Sequence, residues 1–108
     1  MAGLCVLIDR VRVGMIERND ARRLRFEYAD SYAQLDAPTP LSLSMPVEQR
    51  IHTHATVEPW LAGLLPDNPD VVRRWARDFG LGDTESFSLL ATPIGEDCAG
   101  GVQFVRAD

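Results

Sequence analysis

Two histidines stand one residue apart in His52-Thr53-His54, and they are the only imidazoles in the chain. On a strand, residues two apart share a face, so both rings could reach one metal ion. A stable site needs a third or fourth ligand. Glu48 or Glu58 could supply it, although the spacing compels neither. The competing reading is a pair of solvated histidines on a strand or loop. Cys5 lies in an apolar run, an inert setting for a thiol, and no histidine stands at a spacing that pairs with it. Gly95-Glu96-Asp97-Cys98-Ala99-Gly100-Gly101 has the glycine spacing of a phosphate-cradling loop. It lacks the lysine and hydroxyl that should follow, and its two acids would repel phosphate. A glycine-rich turn before a last strand accounts for it better.

All 11 basic residues are arginine. Without lysine there is no Schiff-base nucleophile, no P-loop lysine and no kinase strand lysine within these residues. Arg22, Arg23 and Arg25 form one basic cluster, and Arg73, Arg74 and Arg77 another. The second could meet DNA phosphates from a helix face, or it could be a solvated face whose arginines suit the negative helix end. The net charge of −5 argues against broad binding of nucleic acid or anionic membrane.

The elements that must position these residues change character along the chain. The 108 residues suit a single domain with one modest core. The longest apolar run, Leu4–Ile8, falls far short of the ~20 residues of a membrane span. No basic region precedes it as in a signal peptide, and two cysteines are too few for a disulfide framework. A cytoplasmic protein with reduced thiols is the expectation. Gly3–Ile8 and Val11–Ile16 alternate as a hairpin around Asp9-Arg10. Leu24, Phe26 and Tyr28 make a third strand with one wet face. Ala29–Leu35 suits a helical turn. Leu41, Leu43 and Met45 alternate with serines as a short fourth strand, limited by Pro38, Pro40 and Pro46.

The second half has helical period. Thr56 is placed to cap a helix with Glu58 and Pro59 in its first turn, carrying Trp60, Leu61, Leu64 and Leu65. Asn68-Pro69-Asp70 is a strong helix start, and Gly80 is placed to end that helix with a left-handed cap. Val71, Val72, Trp75 and Phe79 form its apolar stripe. Asp83 can cap a third helix holding Phe87, Leu89 and Leu90, and Val102, Phe104 and Val105 form a last strand. Strands first and helices later predict an α+β fold. Trp60 has two readings: a core residue, or an anchor in a protein interface, where tryptophan is enriched. The first strand, apolar on both faces, needs cover on both sides from its own helices or from a partner.

Several short stretches occur in a telling order: Val13-Gly14, then Pro40-Leu41-Ser42-Leu43-Ser44-Met45-Pro46, then Leu64-Leu65-Pro66-Asp67-Asn68-Pro69. Phe87-Ser88-Leu89-Leu90 and Ile94-Gly95-Glu96-Asp97 with Gly100-Gly101 complete the series. Together they resemble the N-terminal subdomain of HipA-type serine/threonine kinase toxins over nearly the whole chain. Gly101 departs from the pattern, standing where relatives often carry alanine. The resemblance implies a small, partly open antiparallel β-barrel with two or three short helices packed on it. It also implies a bacterial toxin–antitoxin setting, with a HipA-type kinase subunit or kinase core as partner and a HipB-type helix-turn-helix antitoxin as another. Full-length relatives phosphorylate protein substrates. The positions that carry ATP, magnesium and catalysis in the kinase core have no counterpart here, so the resemblance implies no catalytic residue, metal or cofactor.

Two roles fit that resemblance. One is a stand-alone module that docks on a separate kinase and restrains it; the other is the leading piece of a longer kinase. On the first, Trp60, Leu61 and Leu64 are the expected contact residues. A more distant alternative is a small metal-binding protein using His52 and His54.

Overall fold

Ala2–Ile8 and Val11–Arg18 form the strands β1 and β2 of a hairpin. Its turn residues, Asp9 and Arg10, both have positive φ, 50° and 69°. That is the pattern of a primed turn, whose twist matches the strands it joins. The computed structural model describes residues 2–96, 98 and 101–107. Among these, β3 (Leu24–Tyr28) pairs with β2, and α1 (Asp30–Ala33) follows. A long loop leads to β4 (Ile51–Thr53), which pairs with β3 and runs directly into α2 (His54–Ala62). Next come α3 (Pro69–Asp78), α4 (Ser86–Leu90), a 3-10 turn over Pro93–Glu96, and β5 (Val102–Arg106) beside β1. The sheet order is β4-β3-β2-β1-β5, antiparallel throughout, with β4 and β5 as its two edges. This is the expected α+β architecture, a five-stranded sheet that does not close.

The register puts one row of side chains, His52, Phe26, Ile16 and Leu4, across four strands, and a second row, Tyr28, Gly14, Val6 and Phe104, beside it. All but Gly14 carry a side chain into the core, where Val57 and Leu61 of α2 and Phe87 and Leu90 of α4 meet them. Gly14 is an obligate close approach. A Cβ there would lie 2.3 Å from the Glu27 carbonyl oxygen and 2.6 Å from the Phe26 ring. The opposite face brings Met15, Cys5 and Val105 into one row with Glu27. Val105 is exposed there, and Cys5 and Met15 are half-buried. The cover expected on both faces of β1 is therefore present on one.

The expected strand over Leu41–Met45 is a turn instead. The Met45 N–H bonds back to the Ser42 carbonyl at 2.9 Å, which breaks the alternation. Met45 is buried, while Leu43, nominally on the same face, is 98% exposed. Prolines at 38, 40 and 46 strip donors that a ladder would need. The fourth strand is β4, around His52.

The helix expected to start after Thr56 starts at His54, with Thr53 as an N-cap that makes no side-chain capping bond. Pro59 consequently lies inside α2 rather than in its first turn. The helix ends at Ala62, so Leu64 and Leu65 lie just past it. For α3 the capping reading holds, but Phe79, expected on its apolar stripe, is the C-cap residue and is exposed. The Asn68 side chain accepts the Asp70 N–H at 2.9 Å, and Pro69 opens the helix. At the other end Gly80 has φ +69° while the Gly80 and Leu81 N–H groups bond the carbonyls of Arg77 and Ala76. This paired closure is the Schellman form of a helix end. The N-cap of α4 is Glu85, and Asp83 acts one step earlier by accepting the Glu85 N–H at 3.0 Å.

Candidate partner-binding site

Helix α2 lies across the open sheet and turns two of its residues to different tasks. Leu61 is fully buried among the sheet side chains. It supports the helix from inside and presents no area to a partner, which corrects its expected place at a contact edge. Trp60, one residue earlier, is half-buried. Its ring lies 5.9 Å from that of Phe104 on the edge strand β5, tilted by 54°. One side of the indole thus rests on the core while part of it stays open to solvent. Leu64 is likewise half-buried against the core. The N–H groups of Gly63, Leu64 and Leu65 bond back to Pro59, Leu61 and Ala62, so this corner is fixed.

The histidines do not converge. His52 is buried on β4; its Nε2 lies 3.1 Å from the Pro46 carbonyl oxygen and its ring meets Tyr28 edge-on at 5.9 Å. His54 opens α2, and its Nδ1 accepts the Leu24 N–H at 3.0 Å. The strand ends between them, so the two-residue spacing no longer places both on one face. Glu58, a possible further ligand, accepts the Ser86 hydroxyl at 3.2 Å. Among the described residues, no group of three or more His, Cys, Asp or Glu side chains is placed to hold a metal ion.

Of the six clustered arginines, Arg22, Arg25 and Arg73 pair with acids of the same chain, as does Arg18 nearby. Arg18 Nη1 donates to Ser88 Oγ at 2.8 Å and to Glu85 Oε1 at 3.2 Å, and its guanidinium sits 4.7 Å above the Phe87 ring. Arg22 donates to Glu85 and, at 2.5 Å, to Asp83. Arg25 pairs with Glu27 at 3.1 Å, and Arg73 pairs with Asp70. Burial acts to raise the Asp83 carboxyl, but the Glu85 N–H, the Ser88 hydroxyl and the Arg22 and Arg18 charges together bring it below the ordinary carboxylate range. These pairs tie the β2–β3 turn to the start of α4 and weigh against a phosphate-binding face for the first cluster. Cys5 and Cys98 are not bridged to one another. Of the glycine-rich segment, Asp97, Ala99 and Gly100 lie outside the described residues. Gly95 sits in the 3-10 turn before β5, as a turn reading requires. No described helix is long and apolar enough to cross a membrane.

Sequence reasoning missed the loop before β4. Two buried tyrosines and His52 hold it. The Tyr28 hydroxyl donates to the Met45 carbonyl and accepts the Leu41 N–H at 3.0 Å, and the Tyr32 hydroxyl donates to the Thr39 carbonyl at 2.7 Å. Burial raises the Tyr28 phenol above its ordinary range, against the opposing pull of the Leu41 N–H. The available signal was the proline-flanked, charge-free composition of the stretch.

An open antiparallel sheet with α2 and α4 packed on its inner face places the chain among small α+β domains of the partly open barrel kind. The sequence profile of the HipA N-terminal domain matches residues 4–105, and the chain belongs to that family. A solved structure described as "N-terminal domain of HipA toxin" has the same fold. It superposes with a TM-score of 0.71 over 100% of this chain and 94% of that one, at 22% identity.

Proposed function

We propose that the chain is a non-catalytic binding module of a bacterial toxin–antitoxin system, docking on a HipA-type serine/threonine kinase and restraining it. The observation that carries this reading is the family match across residues 4–105, which assigns nearly all of the chain to a domain of the N-terminal type. The half-open Trp60 on the fixed corner of α2 supports it as the contact residue, with Leu64 beside it. Large aromatic side chains that are partly covered and rigidly held are the usual anchors of such interfaces. A stable complex would bury on the order of 1,200–2,000 Å². Restraint requires that the module bind the inactive arrangement of the kinase more tightly than the active one. A HipB-type antitoxin is a further partner of the assembly on this reading.

The test is direct. A HipA-type kinase core produced as a separate polypeptide should co-purify with this chain and lose protein-phosphorylating activity on adding it. Trp60→Ala should weaken binding while leaving the fold intact. Unchanged affinity in a folded Trp60→Ala variant would remove Trp60 from the interface.

A second reading is favoured by the matching solved structure, which is itself described as the N-terminal domain of a toxin. On it the same domain leads a complete HipA-type kinase. Its mark would be a kinase core that folds or phosphorylates only when this domain is present.

A further inference from the structure

We propose that the turn Leu41–Met45 is a preorganised docking element that seats the Leu43 side chain in an apolar pocket of a protein partner. The proposal rests on the reading above, with the HipA-type kinase polypeptide as that partner. Leu43 is 98% exposed, the most exposed of the large apolar side chains among the described residues. An exposed leucine on a mobile loop would mean little. This one is held from inside. Met45 and Val47 are buried, and the hydroxyls of Tyr28 and Tyr32 and the ring of His52 bind the loop backbone at four carbonyl and N–H groups. Within the turn Ser44 N donates to Ser42 Oγ at 3.3 Å, and the two serine hydroxyls lie 2.9 Å apart. The tip is therefore fixed before any partner arrives, which lowers the ordering cost of binding.

The surroundings select the kind of occupant. Residues 37–47 contain no charged side chain, although a quarter of the chain is charged. Depletion of charge marks the buried centre of protein interfaces. Nucleic acid requires cations that this stretch lacks, and a lipid surface requires a broader apolar face than one leucine. A second copy would need a matching hollow. One cleft, of about 550 Å³ beside the hairpin and α4, sets Glu17, Arg18, Asp83 and Arg106 among the apolar Met15, Leu81 and Phe87, so an uncharged knob entering it would strip water from four charges. The remaining occupant is a different protein with an apolar pocket rimmed by groups that can meet Ser42 and Ser44.

Calorimetric titration of the full chain against a separately produced HipA-type kinase core tests this, with thermal unfolding of each variant as control. Leu43→Ser should unfold at the wild-type temperature and bind roughly 10- to 30-fold more weakly, the range of a truncated anchor. Tyr28→Phe, which keeps the ring and removes both loop bonds, should also weaken binding, with little further loss when combined with Leu43→Ser. Wild-type affinity in Leu43→Ser overturns the proposal and leaves the kinase-binding reading standing. Absence of wild-type binding overturns that reading, and this proposal with it. Sedimentation showing a self-association that Leu43→Ser abolishes would assign the turn to a second copy and also overturn it.

Discussion

Gly14 and Asp83 show how much can rest on one position. An alanine at 14 would drive its methyl into the Glu27 carbonyl and the Phe26 ring, neither of which is the loose end of a flexible side chain. Gly14→Ala should therefore cost about 2–3 kcal/mol or more, read as a shift of the denaturant midpoint at unchanged slope. A wild-type midpoint would mean that β2 and β3 can separate there at no cost. Asp83 makes a different prediction. Its carboxyl titrates below the ordinary range in the fold, so its ionised form favours the folded state. That contribution is present above the unfolded value, near pH 4, and is lost as pH falls through the lower folded value. Asp83→Asn should flatten the loss of stability below about pH 4 and lower stability at neutral pH. Parallel acid-unfolding curves for the two proteins would refute it. Leu61 and Trp60, adjacent in sequence, should separate in kind. Leu61→Ala should destabilise the fold by about 2–5 kcal/mol, because a fully buried side chain leaves a cavity.

Among the elements, those with strong local chemistry were legible. The hairpin followed from its apolar composition and two-residue turn, although a bulge at Val13, skipped between the pairs Val6–Gly14 and Leu7–Arg12, turns Ile16 rather than Met15 into the core. β3 followed from Leu24, Phe26 and Tyr28, and α3 from Asn68, Pro69 and Gly80. One failure came from taking alternation to imply a ladder. In Leu41–Met45 the leucines and methionine alternate, yet prolines and a turn bond deny the backbone its partners, so Met45 goes in and Leu43 goes out. The start of α2 was misplaced because Thr53 caps by backbone conformation alone, leaving no side-chain signal. The site was legible to the extent that Trp60 stood out as a large aromatic beside a motif. Helical spacing could not say that Leu61 faces inward. Nor could it reveal a loop built by tyrosines and a histidine far from it in sequence.

Helix α3 is well capped but shallowly seated. Ala76 is its one buried residue, and Val71, Val72 and Trp75 are half-buried. Its stability rests more on its ends than on packing. Asn68→Ala should cost about 1 kcal/mol. Hydrogen exchange should place the loss in the α3 amides, with those of β1 and β2 unaffected. A loss spread evenly over the sheet would mean that α3 unfolds only with the whole domain.

At the scale of the molecule, charge and docking are segregated. The −5 net charge is distributed away from residues 37–47, and several arginines are matched to acids of the same chain. A complex formed through uncharged anchors such as Trp60 and Leu43 should depend weakly on ionic strength. Its Kd for the kinase core should change by less than about threefold between low and physiological salt. A steep decline in affinity would instead indicate an interface built on ion pairs.

Tyr28 belongs at once to the core, where its ring lies edge-on to Phe26 at 4.7 Å, and to the loop, which its hydroxyl holds. A random substitution at this position cannot loosen the loop and spare the fold, except by the single step to phenylalanine. Position 28 should therefore tolerate little evolutionary drift, and a lineage that abandoned the loop's shape while keeping the domain would leave its trace there as Phe.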